Sequence, residues 1–139
     1  MAISQRKSHI GDFHFLSDNM IHGYCLEKFD DDKAISFLIS RYQKETLEGR
    51  FMFVSDLNVH GINPRNKVIL IARQSHTNPE IKRLCMNARK MDNTIVWYVF
   101  YHVLVTMFFR RETDIYYVVD DINHIKKAVW SDVGWRYYD

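Results

Sequence analysis

The segment KVILIARQSHTNPEIKRLCMNARKMDNTIVWYVF, residues 67–100, constrains the fold most, because two apolar runs flank a helix signature. The runs at 67–72 and 94–100 have the nearly continuous hydrophobicity of parallel strands that are covered on both faces. Between them, Asn78 is a good helix N-cap and Pro79 suits the first helical position. The segment therefore predicts a strand–helix–strand unit of a parallel sheet.

The rest of the chain continues this alternation of strands and helices. Hydrophobic periodicity predicts further strands at 20–25, 50–56 and 114–121, and further helices at 27–49 and 122–130. The predicted fold is α/β, a three-layer αβα sandwich with a mostly parallel five-stranded sheet in a flavodoxin-like arrangement. We expect a single domain over 1–139, with a short N-terminal extension at 1–19 and a C-terminal helix and aromatic tail at 120–139.

Composition narrows the classes of function. The chain has 139 residues, 47% of them hydrophobic, and a formal net charge of +2. This charge is far from the basic surface typical of nucleic-acid binding, so we expect none by this chain. The apolar run at 94–109 is shorter than a membrane span, and no secretory signal opens the chain, so no membrane association is expected. Cys25 and Cys85 fall inside apolar segments, so we expect both to be reduced, buried thiols in a cytoplasmic protein.

The turn between the third predicted strand and its helix is the candidate binding site. Ligands of parallel sheets bind beyond the carboxyl ends of the strands, and a helix N-terminus there attracts anions. The candidate ligand contacts are Arg73, Gln74, Ser75, His76 and Asn78. The alternative is that Asn78 only caps the helix and the remaining residues form a solvated loop.

Evidence for catalysis is weaker. His60, His76 and His102 are the histidines near predicted strand ends, and a lone histidine is more often structural than catalytic. The sequence contains no nucleotide-binding or hydrolase motif and no metal-ligand spacing. We therefore expect no catalytic residue, no metal and no cofactor.

The turn resembles the second half of a SIS (sugar isomerase) domain, as found in RpiR-type phosphosugar-responsive regulators. The family pattern S-x-S-G-x-T-x-E is matched by RQSHTNPE, with Ser75 at the second serine, Asn78 at the threonine and Glu80 at the glutamate. Arg73 replaces the first serine, and His76 replaces the glycine. The similarity in order and spacing covers about residues 20–119.

The first phosphate loop departs further from the family, since G-x-G-x-S is replaced by CLEKF at 25–29, where Glu27 repels a phosphate. The resemblance implies a sensory or regulatory domain that binds a phosphorylated sugar or a related small anion. It also implies a homodimer, aided by the aromatic tail or by 103–109. The two alternatives are a non-catalytic scaffold with a degenerate site and a small sugar-phosphate isomerase.

Overall fold

The structure, a computed structural model, describes the backbone of residues 21–121, 124–131 and 134–138, and side chains within 21–121 and 124–127. The strands are β1 (Ile21–Cys25), β2 (Phe51–Val54), β3 (Val68–Ile71), β4 (Thr94–Val99), β5 (Ile115–Asp121), β6 (His124–Ser131) and β7 (Gly134–Tyr138). The helices are α1 (Asp31–Arg41), α2 (Gln43–Leu47), α3 (Pro79–Met86) and α4 (Met107–Glu112). Short 3-10 helices lie at Arg73–Ser75 and His102–Leu104.

These elements form an α/β fold around one mostly parallel sheet. The strand order is β2-β3-β4-β1-β5-β6-β7. The first five strands in this order are parallel, with Ile21 opposite Ile95 of β4 and His22 opposite Ile115 of β5. β6 pairs antiparallel with β5, and β7 pairs antiparallel with β6. β1 is therefore a central strand between β4 and β5.

Three details differ from the prediction. The helix predicted at 122–130 is wrong, because His124–Ser131 is strand β6, which pairs with the edge of β5 that lies away from β1. The sheet consequently has seven strands, of which five are parallel. The flavodoxin-like order 2-1-3-4-5 is also wrong, since β1 lies beside β4 and β5 and not beside β2.

The predicted strands otherwise match the observed strands to within two residues. The helix predicted at 27–49 is divided at Tyr42 into α1 and α2. Asp30 caps α1 by accepting a hydrogen bond from the Lys33 backbone N–H at 2.8 Å. Within the described residues, no helix is long and apolar enough to cross a bilayer.

Two apolar clusters fill the core, because alternate side chains of each strand point to opposite faces of the sheet. One cluster joins the strands to α3 and α4 through Ile69, Ile71, Ile95, Trp97, Val99, Ile81, Leu84, Cys85 and Phe109. The other joins the opposite set of strand residues to α1 through Leu70, Val96, Tyr98, Ala34 and Leu38. Cys25 and Cys85 are buried and not disulfide-bonded, as predicted.

Candidate functional site

The candidate turn follows β3 and lines a cleft at the carboxyl edge of the parallel strands. Residues 73–75 form a 3-10 turn, and α3 begins at Pro79 after the Asn78 cap. The cleft has a volume of about 230 Å³ and is lined by Arg73, Gln74, His76, Thr77, Val99, Leu104 and Thr106. Three of the five predicted contacts thus lie along one cleft, and Ser75 and Asn78 do not line it.

Ser75 and Asn78 instead hold the loop that follows β2. The Asp56 backbone N–H donates to the Ser75 hydroxyl at 3.0 Å, and Asn78 Nδ2 donates to the Asp56 carboxylate at 2.7 Å. Asn78 Oδ1 also accepts from the Glu80 backbone N–H at 2.8 Å, so it caps α3 as predicted. Both side chains are therefore hydrogen-bonded within the protein.

The Arg73 guanidinium uses only some of its N–H groups within the protein. Its Nε and Nη2 donate to the two oxygens of Asp31, each at 3.1 Å, and the guanidinium lies 4.9 Å from the centre of the Phe100 ring. The Tyr98 hydroxyl donates to the same carboxylate at 2.7 Å. A guanidinium has five N–H groups, so three of them remain for a ligand.

His76 is buried at the base of the cleft. Its ring stands edge-on to Trp97 and Phe109, with centroids 5.9 and 5.0 Å away, and the side chain is 6% exposed. Burial, with the positive charge of Arg73, lowers the pKa of His76 to about 4, so the ring is neutral at pH 7. Its Nε2 atom has no hydrogen-bond partner. A buried polar atom of this kind costs free energy unless something pairs with it.

The first strand-to-helix turn, between β1 and α1, is closed to anions by acidic residues. Asp30 occupies the cap of α1, and Asp31 in its first turn accepts the hydrogen bonds of Arg73. Negative side chains here satisfy the positive end of the helix dipole. Glu27 is exposed in the preceding loop. A phosphate would meet like charges at this turn.

The described residues bring no acid–base pair to the cleft. His60 is exposed in the loop before β3, and His102 pairs through Nδ1 with the Tyr116 hydroxyl at 2.9 Å; neither lines the cleft. No group of three or more His, Cys, Asp or Glu in the described part of the chain could hold a metal ion.

Sequence reasoning missed the far wall of the cleft. Thr106 caps α4 by accepting a hydrogen bond from the Phe109 backbone N–H at 3.3 Å, and Leu104 precedes it in an apolar run. A threonine directly before the first residue of a helix is a cap signature, and Thr106 was therefore the available signal. The cap signature was hidden because it lies within one long apolar run, residues 94–109, which favours a strand.

The chain was compared with known proteins in three ways. No protein-family model matches the sequence. No curated protein and no solved structure matches the chain either. The assignment of function therefore depends on the geometry of this molecule.

Proposed function

We propose that this chain is a non-catalytic regulatory domain that binds a small phosphorylated ligand, such as a sugar phosphate, in the cleft between the turn at 73–77 and the segment at 104–106. The Arg73 guanidinium in the cleft lining carries the proposal, because two of its five N–H groups bind Asp31 and the other three can donate to a phosphoryl group. The cleft volume of about 230 Å³ suits a compound smaller than a typical drug.

The polar groups around the cleft fit a phosphoryl group with a hydroxylated body. Arg73 retains three N–H groups after its bonds to Asp31, and guanidinium–phosphate hydrogen bonds are charge-assisted. Gln74 and Thr77 are exposed side chains of the turn that can donate to sugar hydroxyls. Asp31 offsets part of the Arg73 charge, which favours a monoester phosphate over a more highly charged ligand.

The family relationship and the layering are parts of the same proposal. The SIS-like pattern is supported by the strand–turn–helix–strand unit from β3 to β4, which carries the turn. A three-layer arrangement is supported by the two core clusters, one of which contains α1 and the other α3 and α4. The strand order around this unit is not flavodoxin-like, so the proposal extends the resemblance to the binding unit and leaves the rest of the sheet outside it.

A second candidate function is that of an interaction scaffold that has lost its ligand. The internal use of Ser75, Asn78 and Asp31 favours it, because those groups stabilise the turn without any ligand. Four exposed apolar side chains next to the cleft would then form a homodimer contact: Tyr101, Val103, Leu104 and Met107. In either case we place the protein in the cytoplasm, where buried thiols stay reduced.

Thermal unfolding with added ligands tests the proposal. The protein is heated with glucose 6-phosphate, fructose 6-phosphate, inorganic phosphate and the two free sugars. A ligand at 100 times its Kd should stabilise the fold by about 2.7 kcal/mol, which raises the Tm by several degrees. We expect a shift with a phosphorylated sugar and none with the free sugars.

Two variants separate binding from folding. Gln74→Ala removes an exposed side chain of the cleft that would bind sugar hydroxyls and should reduce the ligand shift at unchanged basal Tm. Lys90→Ala, also exposed and remote from the cleft lining, should retain the shift. No shift with any phosphorylated compound, together with a dimer in sedimentation that Val103→Asp disrupts, would favour the scaffold.

A further inference from the structure

A larger groove lies on the other face of the sheet, between α1 and β6. Its volume is about 710 Å³, within the range of small-molecule sites. Residues of α1, together with Phe29 just before it, form one side of the groove, and Ile125 of β6 forms the other. The lining residues are Phe29, Asp32, Lys33, Ser36, Phe37, Ser40, Arg41 and Ile125. The spacing of three and four residues along α1 places the helix residues on one face.

The base of the groove is apolar. The Phe29 and Phe37 rings lie 5.4 Å apart, and both side chains are half-buried against the core cluster that contains Tyr24. Ile125 of β6 packs against the same cluster from the strand side. The described side chains thus give the groove a hydrophobic floor.

Arg41 stands at one end of the groove and is held in place by tyrosines. Its Nε donates to the Tyr24 hydroxyl at 3.0 Å, and its guanidinium lies 4.7 Å from the centre of the Tyr117 ring. The Tyr24 hydroxyl is also hydrogen-bonded to the Tyr42 hydroxyl at 2.8 Å. The Tyr42 hydroxyl is in turn hydrogen-bonded to Nδ1 of the buried His22 at 2.7 Å. Within the described part of the chain, no carboxylate pairs with Arg41. Among the described residues, the guanidinium is therefore an oriented positive charge without a carboxylate partner.

The other charges of the groove lie at its far end. Asp32 and Lys33 are adjacent in the first turn of α1 and largely offset each other in charge. Lys33 and Arg41 are eight positions apart in sequence, a distance of about 12 Å along a helix. The groove is therefore apolar in the middle and positive at the Arg41 end.

We infer that the groove between α1 and β6 binds a small organic anion with an apolar body, such as a medium-chain carboxylate, with its acid group on Arg41 and its chain along Phe37 and Ile125. The bidentate geometry of a guanidinium matches a carboxylate, and the apolar floor matches the chain. This site is separate from the cleft at 73–77 and does not depend on the function proposed for that cleft.

Calorimetric titration of the full chain with hexanoate, octanoate and 1-octanol tests the inference, with octanoate kept below its micelle concentration. Octanoate should bind at least tenfold more tightly than 1-octanol, because only the acid engages Arg41. Each added CH₂ that is buried should tighten binding up to about fourfold, so octanoate should also exceed hexanoate. Equal binding of acid and alcohol, or no binding of either, overturns the inference.

Variants locate the site. Arg41→Gln should weaken octanoate binding at least tenfold, to the level of 1-octanol, whereas Lys44→Gln removes one exposed charge outside the groove and should not change it. Ser40→Trp fills the groove from an exposed helix position and should abolish binding, and Ser40→Ala should retain it. Octanoate affinity that is the same in Arg41→Gln and Lys44→Gln, or retained in Ser40→Trp, would refute the site.

Discussion

Arg73 and Asp31 form a two-bond ion pair that joins the end of β3 to the first turn of α1. Both N–O distances are 3.1 Å, and the side chains are 30% and 39% exposed. The Tyr98 hydroxyl donates to the same carboxylate. This pair brings the candidate turn and the first helix together, and it determines how much of the Arg73 charge a ligand can use.

Replacement of Asp31 by Asn should alter stability in strong acid. Hydrogen bonds from Arg73 hold the pKa of Asp31 below its ordinary value of 3.8. A lowered carboxyl pKa contributes stability that is present above 3.8 and is lost as the pH falls through the lower native value. The pair is about one-third exposed, so the contribution is about 1 kcal/mol or less. Urea unfolding of both proteins at pH 6 and pH 2 should give a smaller acid-induced loss for Asp31→Asn; equal losses would contradict this.

The two buried histidines should make the fold sensitive to milder acid. Burial, followed by the charge of Arg41 for His22 and of Arg73 for His76, lowers both pKa values to about 4 from 6.5. The unfolded chain therefore binds more protons than the native protein between these values, and stability falls as the pH drops from 6.5 to 4. Each histidine contributes roughly 3 kcal/mol to this loss.

His76→Phe isolates one histidine of this pair. A phenyl ring retains the packing against Trp97 and Phe109 and removes the group that titrates. The unfolding free energy, measured by urea denaturation from pH 7 to pH 4, should fall less steeply in the variant than in the parent protein. Parallel profiles would show that His76 is protonated equally in both states.

Gly23→Ala should disrupt the centre of the sheet. A Cβ atom at this position would overlap the Trp97 ring, which is fully buried, stacks on Phe109 and donates through Nε1 to Thr113. Overpacking of a well-filled core costs about 1–3 kcal/mol, and a ring with this many restraints places Gly23 at the upper end. The measurement is the Tm, together with the near-ultraviolet circular dichroism of tryptophan.

A second substitution checks the cause of that loss. Trp97→Leu creates space opposite Gly23, so the double variant should lose less stability than the sum of the two single changes. Additive losses would mean that the alanine acts through something other than the ring.

Asn78→Ala should destabilise the turn at the start of α3. The change removes the cap on the Glu80 N–H and the hydrogen bond to Asp56, and loss of a helix cap costs about 1 kcal/mol. Thr77→Ala, at an exposed neighbouring position, should change the unfolding free energy by less than about 0.5 kcal/mol. Chemical denaturation of both variants compares them, and an equal effect would rule out the capping role.

The sequence predicted those features that local chemistry determines. Asn78 caps α3 because its side chain reaches a backbone N–H group two residues away, and the apolar strands are recognisable from their own residues. The position of β1 between β4 and β5 depends on contacts with distant parts of the chain, which periodicity does not report. The hydrophobic pattern of segment 122–130 fits a strand as well as it fits a helix, and only the pairing of β6 with β5 decides between the two.

Prediction of the candidate site was limited in the same way. The turn at 73–78 was identifiable as a strand-to-helix connection, and Arg73, Gln74 and His76 lie on the cleft. The orientation of Ser75 toward Asp56 depends on the loop after β2, which is remote in sequence. The groove along α1 depends on β6, a strand that the sequence pattern assigned to a helix.

The central place of β1 has a consequence for the order in which the chain can assemble. Ile21 is hydrogen-bonded through its backbone N–H to Asp114, and its neighbours in the sheet are Ile95 and the start of β5. During synthesis, β1 has no partner in the sheet until β4, at Thr94–Val99, has followed it, and its second neighbour, β5, comes later still. Such distant pairing slows folding and leaves apolar strands exposed in the meantime. A chain released before β5 is complete would leave one edge of β1 without its neighbour, and such an unpaired apolar edge favours aggregation.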